Sequence, residues 1–152
     1  VTSGTSDRTF VDTNVLIYAH DVDAGRKHEI AKDLLRTLWA DRAGTLSTQV
    51  LQEFYVNATR KIRKPLTKAA ARTVVDTYAS WCVDATTPGD IMAAFQIEDQ
   101  VRIGFWDALI IAVAARSGAR RVVSEDLNNG QSIAGISIAN PFKEKPQPKA
   151  RR

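Results

Sequence analysis

Cysteine and histidine are nearly missing from this chain of 152 residues, which has only Cys82, His20 and His28. A lone thiol cannot close an internal disulfide, and three such side chains are too few and too scattered for a zinc site. His20 and His28 read as surface or packing residues. No apolar run approaches the ~18 residues needed to cross a bilayer. The longest, 108–115, reads as a buried helix, so no membrane role is expected. Internal repeats, low-complexity segments and interdomain linkers are also missing, and the length suits one domain. Residues 1–8 are short and polar, which reads as a flexible segment rather than a signal peptide. With the single cysteine, this points to a reducing cytoplasm.

A body-wide excess of one charge is lacking too. Lys and Arg total 21 against 17 acids, a net of +4, but five bases and one acid lie in 143–152. Residues 1–142 carry 16 of each sign and are formally neutral. The segment 143–152 reads as a disordered basic tail, since Pro146 and Pro148 oppose helix and little there is apolar. Such a tail can hold a polyanion loosely. Charge alone therefore assigns no partner.

What the sequence does have is apolar periodicity from Thr9 to Phe142. Thr9-Phe10-Val11 is a short strand, closed by Asp12-Thr13-Asn14, all helix-capping types, before a helix over 15–19. Ile30, Leu34, Leu35 and Leu38 give a helix within 26–42, with Gly44 as its stop. Residues 45–48 read as a second strand. Val50, Phe54, Ala58 and Ile62 share one helical face, up to Pro65. Thr67 caps a further helix through Val74, Val75 and Tyr78. Residues 82–86 suggest a third strand before a helix starting at Pro88. The segment 105–117 is apolar nearly all round and ends at Gly118, which predicts a central helix. Arg121-Val122-Val123-Ser124 is a strand, Asn128-Asn129-Gly130 a turn, and 136–138 a last strand. Strands alternating with helices predict an α/β fold with a mainly parallel sheet.

The chemistry is carried by acids that interrupt this apolar sequence. Asp12 ends the first strand, and Asp126 follows the strand at 121–124 by two residues. In open α/β sheets, groups beyond the carboxyl ends of strands converge on one crevice. Asp107 begins the most apolar helix, and Glu53 lies between Leu51 and Phe54 in the first turns of another. Each acid alone has a plain structural explanation: Asp12 as a helix cap, Asp107 as a complement to the helix dipole, Glu53 as a surface residue, Asp126 as a turn former. Glu125 competes with Asp126, although an alternating strand would point the two to opposite sides. Four carboxylates in one crevice repel: a pair ~4 Å apart costs about 4 kcal/mol at an effective dielectric near 20. A divalent cation removes that cost, and oxygen ligands with few histidines favour Mg²⁺ or Mn²⁺.

The stretches 10–19 (FVDTNVLIYA), 51–55 (LQEFY), 105–110 (FWDALI), 124–128 (SEDLN) and 140–142 (NPF) together resemble the PIN-domain nucleases. The likeness is greatest to the toxin ribonucleases of bacterial toxin–antitoxin pairs, the VapC-like proteins, and spans residues 9–142 in family order. The resemblance implies a PIN-like fold, a mainly parallel central β-sheet flanked by helices. It implies that Asp12, Glu53, Asp107 and Asp126 form an acidic metal site, supported by Asn14 and Ser124. The implied activity is Mg²⁺- or Mn²⁺-dependent hydrolysis of RNA phosphodiester bonds, with a protein antitoxin and a second copy of the chain as partners. A housekeeping PIN nuclease without an antitoxin, and a non-catalytic PIN interaction module, are the alternatives. An aspartyl phosphotransferase built on Asp12 would want a second Asp where the chain has Asn14.

Three further features carry less. Two basic clusters, Arg60, Lys61, Arg63, Lys64, Lys68 and Arg72, and Arg116, Arg120 and Arg121, are either a solvated surface or phosphate contacts at the crevice rim. Residues 20–25 faintly suggest a calcium loop, but Gly25 stands where an oxygen ligand is needed. Trp39, Trp81 and Trp106 read as core.

Overall fold

The computed structural model describes residues 8–83 and 85–143. Residues 1–7 of the expected flexible start (1–8), residues 144–152 of the expected basic tail (143–152), and Asp84 of the expected third strand lie outside the described residues.

Thr9–Val11 forms β1 with all three residues buried, as expected of a central strand covered on both faces. Asp12 is extended and caps α1, Thr13–His20, by accepting from the Thr13 N–H. A short 3₁₀ turn, Val22–Ala24, leads to α2, Arg26–Ala40. That helix ends at Asp41 rather than at the expected Gly44. Arg42 takes a positive φ of 53° and turns the chain, so Gly44 opens β2, Gly44–Thr45. The expected strand at 45–48 is correspondingly short: Ser47 caps α3, Thr48–Arg60, and draws Thr48 into the helix.

Thr67 caps α4, Lys68–Tyr78, by accepting from the Ala70 N–H. The strand expected over 82–86 is reduced to one bridge, Leu46 to Cys82. A 3₁₀ turn at Ala79–Trp81 delivers the chain there too late to build a ladder. Thr87, Pro88 and Asp90 start α5, Pro88–Val101, with a full capping box. Next comes α6, Phe105–Arg116, in which Ala108 through Ala114 are all buried. A helix apolar on every side needs cover on every side, and packing against α5 and the sheet provides it. β3 is Arg121–Val123. The sequence did not signal β4, Ser132–Ile133, which pairs back on β5, Ile136–Ala139. Ala134 and Gly135 make the two-residue hairpin turn, both at positive φ.

The sheet order is β2-β1-β3-β5-β4, parallel throughout except for β4 against β5. This is the expected α/β architecture, a mainly parallel sheet flanked by six helices. Phe10 and Val11 of β1, Val15 and Leu16 of α1, Phe54 of α3 and Ile111 of α6 are buried together in one core. Every helix therefore reports to the same centre, and the loops after β1 and β3 open on one edge of the sheet. Among the described residues, no helix is long and apolar enough to cross a membrane.

Candidate functional site

The site begins where β1 and β3 end. The Asp12 N–H donates to the carbonyl of Val123 at 3.1 Å, extending the parallel pairing by one residue. This places Asp12 and Ser124 side by side at the carboxyl ends of two adjacent strands. Asp12 is only 4% exposed. Its carboxylate accepts from the Thr13 N–H at 2.7 Å and from the Ser124 hydroxyl at 2.7 Å. Burial pushes its pKa up to about 6; those two hydrogen bonds oppose the rise, and Asp107 and Asp126 add to it.

Ser124 and Asn14 tie the second acid to the first. The Ser124 Oγ accepts from the Asp126 N–H at 3.1 Å, while the Asn14 amide donates to the Asp126 carboxylate at 3.0 Å. The Asn14 carbonyl oxygen accepts from the Glu125 N–H at 3.1 Å, fixing the bend between them. Glu125 faces elsewhere, accepting from the Tyr18 hydroxyl at 2.7 Å and pairing with Lys27 at 2.6 Å. The two neighbours thus diverge as expected, although they lie in a bend beyond β3 rather than in the strand itself.

Glu53 enters from α3. Its carboxylate accepts from the Thr13 hydroxyl at 2.7 Å and from the Gln49 amide at 3.0 Å. Asp107 sits half-buried in the first turn of α6. Its pKa is raised, mainly by burial and further by the charges of Asp126 and Glu53. All four acids, with Asn14, line a single cleft of about 180 Å³. No lysine, arginine or histidine among the described residues lines it. Among the described residues, no three of the acids, histidines or cysteines are drawn close enough to form a finished metal cluster. The cleft is nevertheless a negative hollow with hard oxygen donors, and burial and mutual repulsion raise two of its acids. That chemistry fits a divalent cation.

Sequence reasoning missed several cleft residues. Gln49 and Asn57 flank Glu53 at four-residue spacing on α3, a polar stripe that was readable on that helix. Thr13, read only as a cap, holds Glu53. Trp106 was expected in the core but is 64% exposed, lining the cleft with Ile110 one turn along α6. Trp39 is 45% exposed as well, so of the three tryptophans Trp81 alone is buried. Placed before the buried run 108–114, Trp106 lies beyond the cover that α5 and the sheet give the rest of the helix.

None of the bases in the two clusters is among the described residues that line this cleft. Arg116 pairs with Asp90 at 2.7 Å, and Arg120 and Arg121 stand at the opposite end of β3. Lys64 pairs with Asp23, and the Arg72 guanidinium lies over the Tyr55 ring. His20 packs edge-on against Phe54 and Tyr78 with its Nε2 buried and without a partner, and burial lowers its pKa. Asp21, in the segment that faintly suggested a calcium loop, spends its carboxylate on the Asp23 N–H.

Residues 9–130 match the family model of the PIN domain. No curated protein matches the chain by sequence. Among solved structures, the chain is similar to a toxin–antitoxin complex from Klebsiella pneumoniae, with a TM-score of 0.64 and 16% identity over 90% of this chain and 99% of that one. It is also similar to FitAB bound to a DNA fragment, with a TM-score of 0.65 and 15% identity over 91% and 99% of the two chains. A third is Mycobacterium tuberculosis VapC20, described as a sarcin–ricin loop cleaving toxin, with a TM-score of 0.57 and 23% identity over 75% and 86%. At such identities the structural likeness is one of fold.

Proposed function

From the premise that this chain belongs to the PIN-domain family, we propose that it is a metal-dependent endoribonuclease and the toxin of a toxin–antitoxin pair, acting in the cytoplasm. The observation that carries the proposal is the cleft itself. Asp12, Glu53, Asp107 and Asp126 come from four separate elements to line one hollow that has no cationic side chain among the described residues. The toxin–antitoxin proteins among the similar structures support the antitoxin and RNA as partners of the same reading.

Asp12, Glu53, Asp107 and Asp126 would hold Mg²⁺ or Mn²⁺. When bound, such an ion supplies charge neutralisation and Lewis-acid activation of water and phosphate. The remaining work falls to the protein. Ser124 and Asn14 orient Asp12 and Asp126, while Thr13 and Gln49 orient Glu53. Among the described residues no serine, cysteine or histidine lines the cleft, and with the carboxylates assigned to the ion and the Thr13 hydroxyl donating to Glu53, this reading uses no covalent nucleophile. Water is the attacking group: its oxygen bonds to phosphorus as the 3′ oxygen leaves. A second copy of the chain completes the assembly. The apolar ledge of Met92 and Phe95 on α5, beside Phe105, is a surface of the kind that a homodimer buries.

The test is cleavage of RNA by purified protein with Mg²⁺ or Mn²⁺ and with EDTA. Wild type should cut only with metal, and folded Asp107→Asn and Asp12→Asn should lose at least a hundredfold in rate. Equal cleavage by folded Asp107→Asn would remove Asp107 from the mechanism. Co-expression should recover the protein bound to an antitoxin, and its recovery as an active enzyme without one would favour a housekeeping nuclease.

A further inference from the structure

A hollow larger than the carboxylate cleft lies elsewhere in the molecule. It measures about 680 Å³ and lies at the other edge of the sheet, before β1 and beside β2. Arg8, Arg42 and Arg116 line it, and Trp39 and Trp81 form a wall with ring centroids 5.3 Å apart. An adjoining hollow of about 320 Å³ shares Arg8 and adds Arg120 and Arg121. No carboxylate is among the described residues lining either one. We propose that this trough is a second binding site, which grips a single-stranded RNA segment away from the scissile phosphate.

The chemistry of the trough selects such a ligand. All five of its cations are arginines, whose planar forks match phosphate oxygens better than lysine does. Arg116 is already engaged by Asp90, so it frames the trough while others carry the binding. The Arg42 side chain has no hydrogen bond or ion pair among the described residues. Its backbone holds a φ of 53°, in the left-handed region that a non-glycine residue seldom takes. The partly exposed Trp39 offers a face on which a base can stack. Phosphate-binding forks beside an indole ring describe a site for a nucleotide unit, and 680 Å³ is roomy enough for one. Packing supports the shape, since a Cβ on Gly44 would come within 2.5 Å of the Trp81 ring.

Position explains why one domain would have two sites. Arg120 and Arg121 precede the buried part of β3, and Ser124 follows it. Asp107 and Arg116 lie nine residues apart on α6, about 14 Å along its axis. Cations kept at this distance draw in a polyanion without competing with a metal ion for the carboxylates. The choice of RNA as the polymer rests on the nuclease reading, but binding does not require cleavage.

The test is fluorescence anisotropy of the full chain with a labelled 16-nucleotide oligouridylate in EDTA, at several salt concentrations. Arg42→Gly and Arg121→Ala together should weaken binding at least tenfold, and lower the salt slope by about 0.7 for each phosphate no longer neutralised. Glycine accepts the positive φ of position 42, so that change should not unfold the protein. Trp39→Phe should reduce the tryptophan quenching that accompanies binding, leaving the share that Trp81 contributes. Unchanged affinity and slope in the double variant would overturn the proposal. Loss of adenosine monophosphate binding with oligonucleotide affinity intact would overturn it in favour of a free nucleotide. If wild type cuts no RNA yet these variants lose oligonucleotide binding, the trough stands and the nuclease reading falls. Variants that still cut a trinucleotide at the wild-type rate would place the loss in the trough alone.

Discussion

Replacing Asp12 by asparagine should make the metal-free protein more stable while removing its response to Mg²⁺. The carboxyl group titrates near 6 in the folded protein, against an ordinary value of 3.8. As pH rises from 4 to 6 the unfolded chain gives up this proton while the native chain retains it, so stability falls across that window and levels off above it. At pH 7.5 the difference is worth about 3 kcal/mol against the native state. The introduced amide would keep the hydrogen bond from the Thr13 N–H, and could donate to Ser124 Oγ once that hydroxyl turns. Rearranging that pair costs about 1 kcal/mol. The net gain is therefore roughly 2 kcal/mol, which raises the melting temperature by about 4–8 °C for a domain of this size. Thermal unfolding at pH 4, 6 and 7.5, with and without 10 mM Mg²⁺, measures all of this. The difference between wild type and Asp12→Asn should be small at pH 4, where the native carboxyl is protonated and the unfolded one only about half ionised, and full at pH 7.5. With metal the order should reverse: at a hundred times its Kd, Mg²⁺ adds about 2.7 kcal/mol to wild type and little to the variant. A metal-free variant less stable than wild type at pH 7.5 would refute the reasoning, because the buried charge would then be satisfied within the protein.

Other perturbations read other parts of the structure. Asn14→Ala removes the amide that holds Asp126 and the oxygen that holds the Glu125 N–H; cleavage kinetics should show a tenfold or greater loss in kcat with KM for RNA little changed. Asp90→Ala breaks both the capping box of α5 and the hydrogen bonds from Arg116 to a carboxylate only 3% exposed, and chemical denaturation should register a loss of about 2–4 kcal/mol. Because Arg116 holds the Asp90 carboxyl below its usual range, this group's contribution is present at neutral pH and lost on acidification through its lowered pKa, opposite in sign to that of Asp12. Gly44→Ala drives a methyl group into the Trp81 ring and should cost about 1–3 kcal/mol in the same assay.

Helices were legible in the sequence because their signals are local. Thr67, Pro88 and Asp12 announce helix starts; Thr67 and Asp12 cap their helices through their own side chains, and Thr87 with Asp90 closes a capping box around Pro88. The central strands were legible because Phe10, Val11, Val122 and Val123 are β-favouring and have nowhere to go but the core. Edge pairing was not. β2 and β4 have two residues each, too short for any alternation to register, and whether Cys82 extends a ladder depends on the turn before it. The four acids were placed from their positions at element ends, and they share a cleft. What the sequence concealed was the neutral framework beyond Asn14 and Ser124. Whether Thr13, Gln49 and Asn57 face the same hollow depends on how α1 and α3 pack, and no single residue announces that. Trp106 misled for a related reason: burial is set by what lies opposite, and an indole at the first turn of α6 has little there.

The direction of the pKa shift contrasts Asp90 and Glu125 with Asp12 and Asp107. Asp90 and Glu125 each have a cation in contact, Arg116 and Lys27, and both sit below their ordinary pKa. Their charge is neutralised within the protein. Asp12 and Asp107 are shifted the other way, by burial and by neighbouring acids. The groups touching the cleft acids are hydroxyls, amides and backbone N–H, which orient a carboxylate without neutralising it. Ser124 Oγ serves both acids at once, donating to Asp12 while accepting from the Asp126 N–H. A lysine in place of Asn14 or Gln49 would stabilise the empty cleft and, by the same interaction, compete with any incoming cation. Framing the acids with neutral donors leaves their repulsion unrelieved, and binding a divalent ion is what would relieve it. Asn14→Lys thus provides a last discriminating experiment. It should raise the metal-free melting temperature and abolish stabilisation by Mg²⁺, and a variant that gains the stability yet still responds to the ion would show that the cleft acids are not what holds it.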